Sequence, residues 1–322
     1  MLYDLIIIGG GPAGVAAAVY SARKRLKTLL ITESIGGQSI VSDDIQNWIG
    51  EPHISGFDLA QKLETHLRAF SDTVEIKMPE RAVEIKSIRC SSSERICDFD
   101  VKTDLGIYEG KALVLAMGAR RRKLEVPGEE KFNGKGVAYC STCDAPLFSG
   151  KRVAVVGGGN AGLEAVVDLF PYASEVYLLH RGDALKGDPV EQAEIKNNPK
   201  LKNIILNAEP TEIEGDEFVS GIKYKDSKTG EVHRLPVDGV FVEIGSVPNS
   251  EMVKDLIDID QWGQIKIDAK HASTSHSGVF AAGDITDDPY KQNNISAGDG
   301  VRAALAAYAY LQKRQKHTPA EA

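Results

Sequence analysis

Short unbroken apolar runs alternate along the chain with longer stretches in which apolar residues recur every three or four positions. Residues 3–8, YDLIII, are short, β-branched and stopped by glycines, which predicts a strand buried in a parallel sheet. An Ala-rich helix over 13–22 and a second strand over 27–32 follow. In 57–70, Leu59, Leu63, Leu67 and Phe70 share one side of a helix and read as core. Residues 73–109 alternate with the period of strands, with a hairpin at Asp104-Leu105-Gly106, and lead to an apolar strand over 112–117. Strand, glycines, helix and strand then recur, at 152–156, 163–169 and 175–179. Strands and hairpins fill 203–244, turning at Lys228-Thr229-Gly230. After Asn249 short apolar strands return, and 278–284, GVFAAGD, delivers Asp284 into a turn, as a ligand or as a helix cap. An amphipathic helix over 293–313 closes the chain.

This pattern predicts an α/β protein with two Rossmann-like dinucleotide-binding domains. Only two glycine-rich units occur, so the strands after Asn249 are expected to complete the first domain, with the second inserted into it. The expected boundaries are 1–117 with 249–322, and 118–248.

The two units carry the same chemistry with different ribose partners. Gly9, Gly11 and Gly14 permit, in order, a tight turn, the approach of backbone to a pyrophosphate, and close packing of helix on strand. The phosphate then meets the positive end of the helix. Glu33, at the end of the second strand, stands where an acid takes the ribose hydroxyls. Gly157, Gly159 and Gly162 repeat the motif, but the following strand ends at His180-Arg181, where Arg181 suits a 2′-phosphate and Lys186 adds a second charge. A surface arginine is the bland alternative. The assignment is FAD first and NADPH second, with NADH possible.

Just ahead of the second glycine turn stands Cys140-Ser-Thr-Cys143, a spacing that serves redox chemistry or metals. Half a zinc site is disfavoured because no second such pair and no paired histidine occur. Cys90 and Cys97 lack zinc spacing and are expected to be structural or incidental. Four cysteines in 322 residues are too few for a disulfide-stapled secreted domain, so a reducing, cytoplasmic setting is expected. A net charge of −8 argues against nucleic-acid or anionic-membrane partners, and the basic run 120–123 is taken as a solvated connector. The uncharged stretch 5–22 is broken by Gly9, Gly10, Gly11 and Pro12 and fits strand, turn and helix better than a membrane span. No signal peptide is expected, because no basic segment precedes the run.

Taken together, GGGPAG at Gly9, GGQ at Gly36, NW-x-G at Asn47, CSTCD at Cys140, GGGNAG at Gly157, IGSVPN at Ile244 and FAAGD at Phe280 resemble low-molecular-weight thioredoxin reductase over nearly the whole chain. The resemblance implies a homodimer, FAD in the outer domain, NADPH in the inserted one, and a large rotation between them in turnover. It implies cofactor-binding roles for Gly9, Gly11, Pro12, Ala13, Gly14, Glu33, Gly37, Gln38, Asn47, Gly118, Asp284 and Gln292 on the FAD side. On the nicotinamide side it implies Gly157, Gly159, Asn160, Gly162, His180, Arg181 and Lys186. By the same resemblance Cys143 faces the flavin, Cys140 attacks a thioredoxin-like partner disulfide, and Asp144 is the acid-base residue.

The second half is also similar to the flavoprotein subunit of alkyl hydroperoxide reductase, in LKGDPV at Leu185, IILNAE at Ile204 and PYKQ at Pro289. That subunit uses NADH and carries an extra N-terminal redox module. Met1 stands directly before the first strand, so such a module is expected as a separate protein. The alternatives are therefore an NADH-dependent reductase of a peroxiredoxin-linked redox protein, or a flavin-dependent thiol oxidase on the same scaffold. Intact glycines in the second motif argue against the oxidase, which needs no nicotinamide site.

Overall fold

The computed structural model describes residues 1–42, 44–90 and 96–317. The chain divides into two units, Met1–Arg120 with Val247–Ala322, and Arg121–Ser246. Strands Ala119–Arg121 and Ser246–Pro248, which carry the chain out of the first unit and back, pair as a two-stranded ribbon.

In the first unit, five parallel strands run in the order Val279–Ala281, Leu113–Leu115, Leu5–Ile8, Thr28–Ile31, Val74–Lys77. Their side chains alternate between two apolar layers. Leu5 and Ile7 pack with Ala17, Ala18, Ala303 and Ala307 of helices Pro12–Arg23 and Asn293–His317. Ile6 and Ile8 pack with Phe99 and Val101 of a four-stranded sheet that covers the opposite face. Cover on both faces is the physical reason for an unbroken apolar run where a half-exposed strand would alternate.

The second unit repeats this plan. Its five parallel strands run Val137–Ala138, Gly239–Val242, Arg152–Val156, Glu175–Leu179, Leu201–Ile205. Val153 and Val155 meet Leu163 and Val166 of helix Asn160–Leu169, while Ala154 and Val156 meet Ile213 and Ile222 of a three-stranded antiparallel sheet. The α/β architecture with an inserted second Rossmann-like unit is the one the sequence predicts.

Two local readings differ. The run 3–8 breaks at Asp4, whose carboxylate accepts from Lys27 N and Lys111 Nζ, and Leu2–Tyr3 pairs in the covering sheet instead. The expected strands between 249 and 278 are turns joined by isolated bridges, because Asp260 and Asp268 accept from backbone N–H groups two residues on and so compete with ladder pairing. Cys90 and Cys97, expected to be structural or incidental, form a disulfide with Cα atoms 4.1 Å apart, which fits the structural role.

Candidate functional site

Each glycine turn grows directly from a central parallel strand. Gly9 and Gly157 have φ of 112° and 143°, and a methyl group on either would lie 2.2 Å from Ala116 O or 2.1 Å from Glu243 O. Only glycine makes these turns without moving the neighbouring strand. Gly14 and Gly162 then bring each helix against its own turn, with carbonyl contacts that would fall to 1.8 and 1.9 Å if either carried a Cβ. Gly11 and Gly159 differ: beyond Gly159 there is open space to 4 Å, and Gly11 meets only Gly37 Cα at 3.7 Å. Helices Pro12–Arg23 and Asn160–Leu169 start there with no side-chain cap and no acid in the first turn. Uncapped N–H groups facing open space beside a glycine fit a diphosphate.

In the first unit the structure gathers residues that lie far apart in sequence. Gln38 Nε2 donates to Asp284 Oδ2 at 3.3 Å, and Ser296 Oγ donates to Asp284 Oδ1 at 3.2 Å. Asn47 Nδ2 donates to Gln292 Oε1 at 3.2 Å, and Asn294 Nδ2 donates to Asn47 O at 2.6 Å. Gly283 brings Asp284 to the start of the Pro12–Arg23 helix, since a Cβ there would meet Ala13 Cβ at 3.1 Å. Glu33 is exposed just past the Thr28–Ile31 strand, and Gly118 holds Asn249 N on its carbonyl at 3.0 Å. Asp299 was missed by sequence reasoning. It is 3% exposed, burial pushes its carboxyl up against the pull of Arg302, and its Oδ2 has no partner among the described residues. Helix turn, the exposed acid Glu33 and converging polar groups fit a flavin dinucleotide.

In the second unit the loop after Glu175–Leu179 folds back over the glycine turn. Lys186 N and Gly187 N both donate to Gly158 O, at 2.7 and 3.1 Å, and Asp188 N donates to Asn160 Oδ1 at 2.9 Å. His180 lies against Gly158, whose Cβ would fall 2.5 Å from its ring, and its Nε2 has no partner among the described residues. Burial pushes the imidazole down, and the charges of Lys186 and Arg181 add to the effect. Arg181 and Lys186 are exposed. Two cations beside an uncapped helix start fit a phosphorylated nucleotide.

The same unit carries the cysteines. Strand Val137–Ala138 leads to Cys140, which starts the short turn Ser141–Asp144, and Cys140 and Cys143 are disulfide-bonded with Cα atoms 5.3 Å apart. Both are partly buried. Asp144 follows at once; burial pushes its carboxyl up to about 6 despite the opposing charge of Arg121. Two further acids meet the turn: Asp168 accepts from the Ser141 and Thr142 hydroxyls, and Glu243 lies beside the Ser141 N–H. Burial pushes Glu243 up to about 7, against the pull of Arg121 and of the nearby Ser141 N–H. Sequence reasoning passed over both; the one signal was an acid inside the apolar stretch VFVEIG. Among the described residues no group of His, Cys, Asp and Glu could hold a metal, and no helix is long and apolar enough to cross a membrane.

Comparison with known proteins matches this geometry to one family. The model of the pyridine nucleotide-disulphide oxidoreductase family matches residues 3–309. An "NADH dehydrogenase" of Bacillus subtilis (strain 168) is 41% identical over 310 residues, 96% of this chain and 58% of the relative. An alkyl hydroperoxide reductase subunit of Escherichia coli (strain K12) is 41% identical over 312 residues, again 96% of this chain and 58% of the relative. The chain thus spans less than two thirds of the curated relatives it matches. Among solved structures, thioredoxin reductase from Streptococcus pyogenes MGAS5005 superposes with a TM-score of 0.88 at 36% identity, covering 97% of this chain and 99% of that one.

Proposed function

The chain belongs to the pyridine nucleotide-disulphide oxidoreductase family, and from that premise we propose that it is an FAD-dependent thioredoxin-disulfide reductase that uses NADPH and acts on a thioredoxin-like protein disulfide. The observation that carries this reading is the partly buried Cys140–Cys143 disulfide with the raised carboxyl of Asp144 beside it. Similarity to thioredoxin reductases along 99% of the Streptococcus pyogenes chain supports it. A homodimer and a cytoplasmic setting belong to the same proposal.

The flavin, when bound, supplies two-electron chemistry between a nicotinamide and a disulfide. The first glycine turn, with Pro12, Ala13, Glu33, Gly37, Gln38, Asn47, Gly118, Asp284 and Gln292, would hold it. The second turn, with Asn160, His180, Arg181 and Lys186, would hold the nicotinamide nucleotide. The rest of the chemistry happens at sulfur. Cys140 thiolate attacks the partner disulfide, that bond breaks, and one partner sulfur leaves as a thiol. Cys143 then attacks Cys140 Sγ, which closes the Cys140–Cys143 bond and releases the second partner thiol. The dithiol is oxidised by two electrons and the partner is reduced by two. Asp144 holds the moving proton: a carboxyl that titrates at about 6 accepts one from a thiol at neutral pH and returns it to the leaving sulfur.

A second reading, an NADH-dependent reductase feeding a peroxiredoxin-linked protein, is favoured by the 41% identity to proteins named for NADH and alkyl hydroperoxide. Anaerobic titration of the flavin-loaded protein with each nucleotide, followed by steady-state turnover of a thioredoxin, separates them. NADPH is expected to bleach the flavin and support turnover with the higher kcat/KM. Bleaching by neither nucleotide sinks both readings, and turnover with NADH alone replaces the first by the second.

A further inference from the structure

The residues between the two cysteines are gripped from outside their own turn. Ser141 Oγ donates to Asp168 Oδ2 at 2.8 Å, and Thr142 Oγ1 donates to the same oxygen at 3.3 Å. On the other side the Glu243 carboxylate, which is 9% exposed, lies beside the Ser141 backbone N–H. Neither acid is a neighbour of the turn in sequence. Asp168 sits in the last turn of the Asn160–Leu169 helix, and Glu243 directly follows the Gly239–Val242 strand. The backbone of Glu243 is fixed in its turn: its N–H donates to Val156 O at 2.9 Å, and its carbonyl is the group against which Gly157 closes. Both carboxylates therefore hang from the elements that frame the second glycine turn.

We propose that Asp168 and Glu243 are positioning residues of the redox turn, which by holding Ser141 and Thr142 set the dithiol–disulfide equilibrium of Cys140 and Cys143. A disulfide closes more favourably the more firmly its two sulfurs are held within reach of each other, because the ordering is then already in place. These hydrogen bonds are made with the disulfide formed. Removing them frees the turn once the bond opens, and the equilibrium moves towards the dithiol. Asp144 differs, since it lies within the redox motif itself and acts on the proton.

The inference rests on the Cys140–Cys143 pair cycling as proposed above. The test equilibrates the flavin-loaded protein in dithiothreitol buffers, quenches with an alkylating agent, and counts modified Cys140 and Cys143 by peptide mass. Dithiothreitol supplies both electrons and both protons: the Cys140–Cys143 bond breaks, two thiols form, and the reagent closes to its cyclic disulfide. D168A and E243A are each expected to shift the equilibrium constant about tenfold towards the dithiol, about 30 mV for this two-electron couple. D168N and E243Q keep an acceptor oxygen and are expected to stay within about threefold of wild type. S141A leaves both carboxylates in place, guards against misfolding, and is expected to shift in the same direction as D168A. Combining S141A with D168A is expected to add less than the two single shifts together. Unchanged equilibria in D168A, E243A and S141A overturn the proposal, as does an E243Q shift as large as that of E243A. A wild-type pair that dithiothreitol never opens overturns the reductase reading as well, so the two failures are told apart.

Discussion

Replacing Asp144 by asparagine is expected to weaken exchange and strengthen the fold together. Burial raises this carboxyl from 3.8 to about 6, a shift of roughly two units that corresponds to about 3 kcal/mol against the charged form. Partial exposure makes that an upper bound. Below pH 3.8 the group is neutral whether the chain is folded or not, and its full contribution to stability is present. That contribution is lost as pH rises through the folded-state value of about 6. An asparagine in its place never ionises and escapes the loss. D144N is therefore expected to be more stable than wild type by at most about 3 kcal/mol at pH 8, and by about half of that at pH 5. Urea midpoints of the flavin-loaded, disulfide-bonded protein at the two pH values measure the difference. Thioredoxin turnover is expected to fall about 100-fold at neutral pH, and the rise in rate through about pH 6 to vanish with the titrating group. Identical midpoints at both pH values, or a pH–rate profile shared with wild type, would refute the assignment of a buried, proton-carrying carboxyl.

Three more substitutions test the redox turn and the second glycine turn. Arg121 is the charge that opposes the burial of Asp144, so Arg121→Gln is expected to move the pH–rate inflection upward, which a pH series of turnover rates detects. Gly159→Ala adds a methyl to open space and is expected to leave the melting temperature unchanged while raising KM for the nicotinamide nucleotide at least about tenfold, as the proposed phosphate site there requires. Arg181→Ala is expected to raise KM for NADPH about tenfold and to leave KM for NADH within about twofold, and equal changes for both would remove Arg181 from specificity.

What the sequence discloses follows from what each residue must do locally. Leu5–Ile8 and Arg152–Val156 are legible because a strand covered on both faces must be apolar throughout, and the turns after them because Gly9 and Gly157 leave room for no other residue. The helix Pro189–Lys196 had a readable start, Asp188 accepting from Val190 N ahead of Pro189, yet its short polar span has no apolar period to reveal it. Contacts such as Gln38 with Asp284, and Asn47 with Gln292, join polar residues whose partners only the closed sheet identifies. Asp168 and Glu243 stayed hidden for another reason: an acid is assumed to face water until the fold covers it, and the redox turn that each of them meets lies far away in sequence. The Cys90–Cys97 bond fits the structural role expected of that pair, but a spacing that only excludes zinc does not reveal the pairing itself.

The ribbon made by Ala119–Arg121 and Ser246–Pro248 makes the inserted unit separable as well as inserted. Strand pairing leaves the departing and returning chain side by side, a few ångströms apart. A short turn placed there would excise residues 121–246 without stretching either cut end, and the reverse splice would free that unit with its ends already adjacent. The chain is thus open to being rebuilt as two exchangeable parts, one holding the first glycine turn and the other the cysteines.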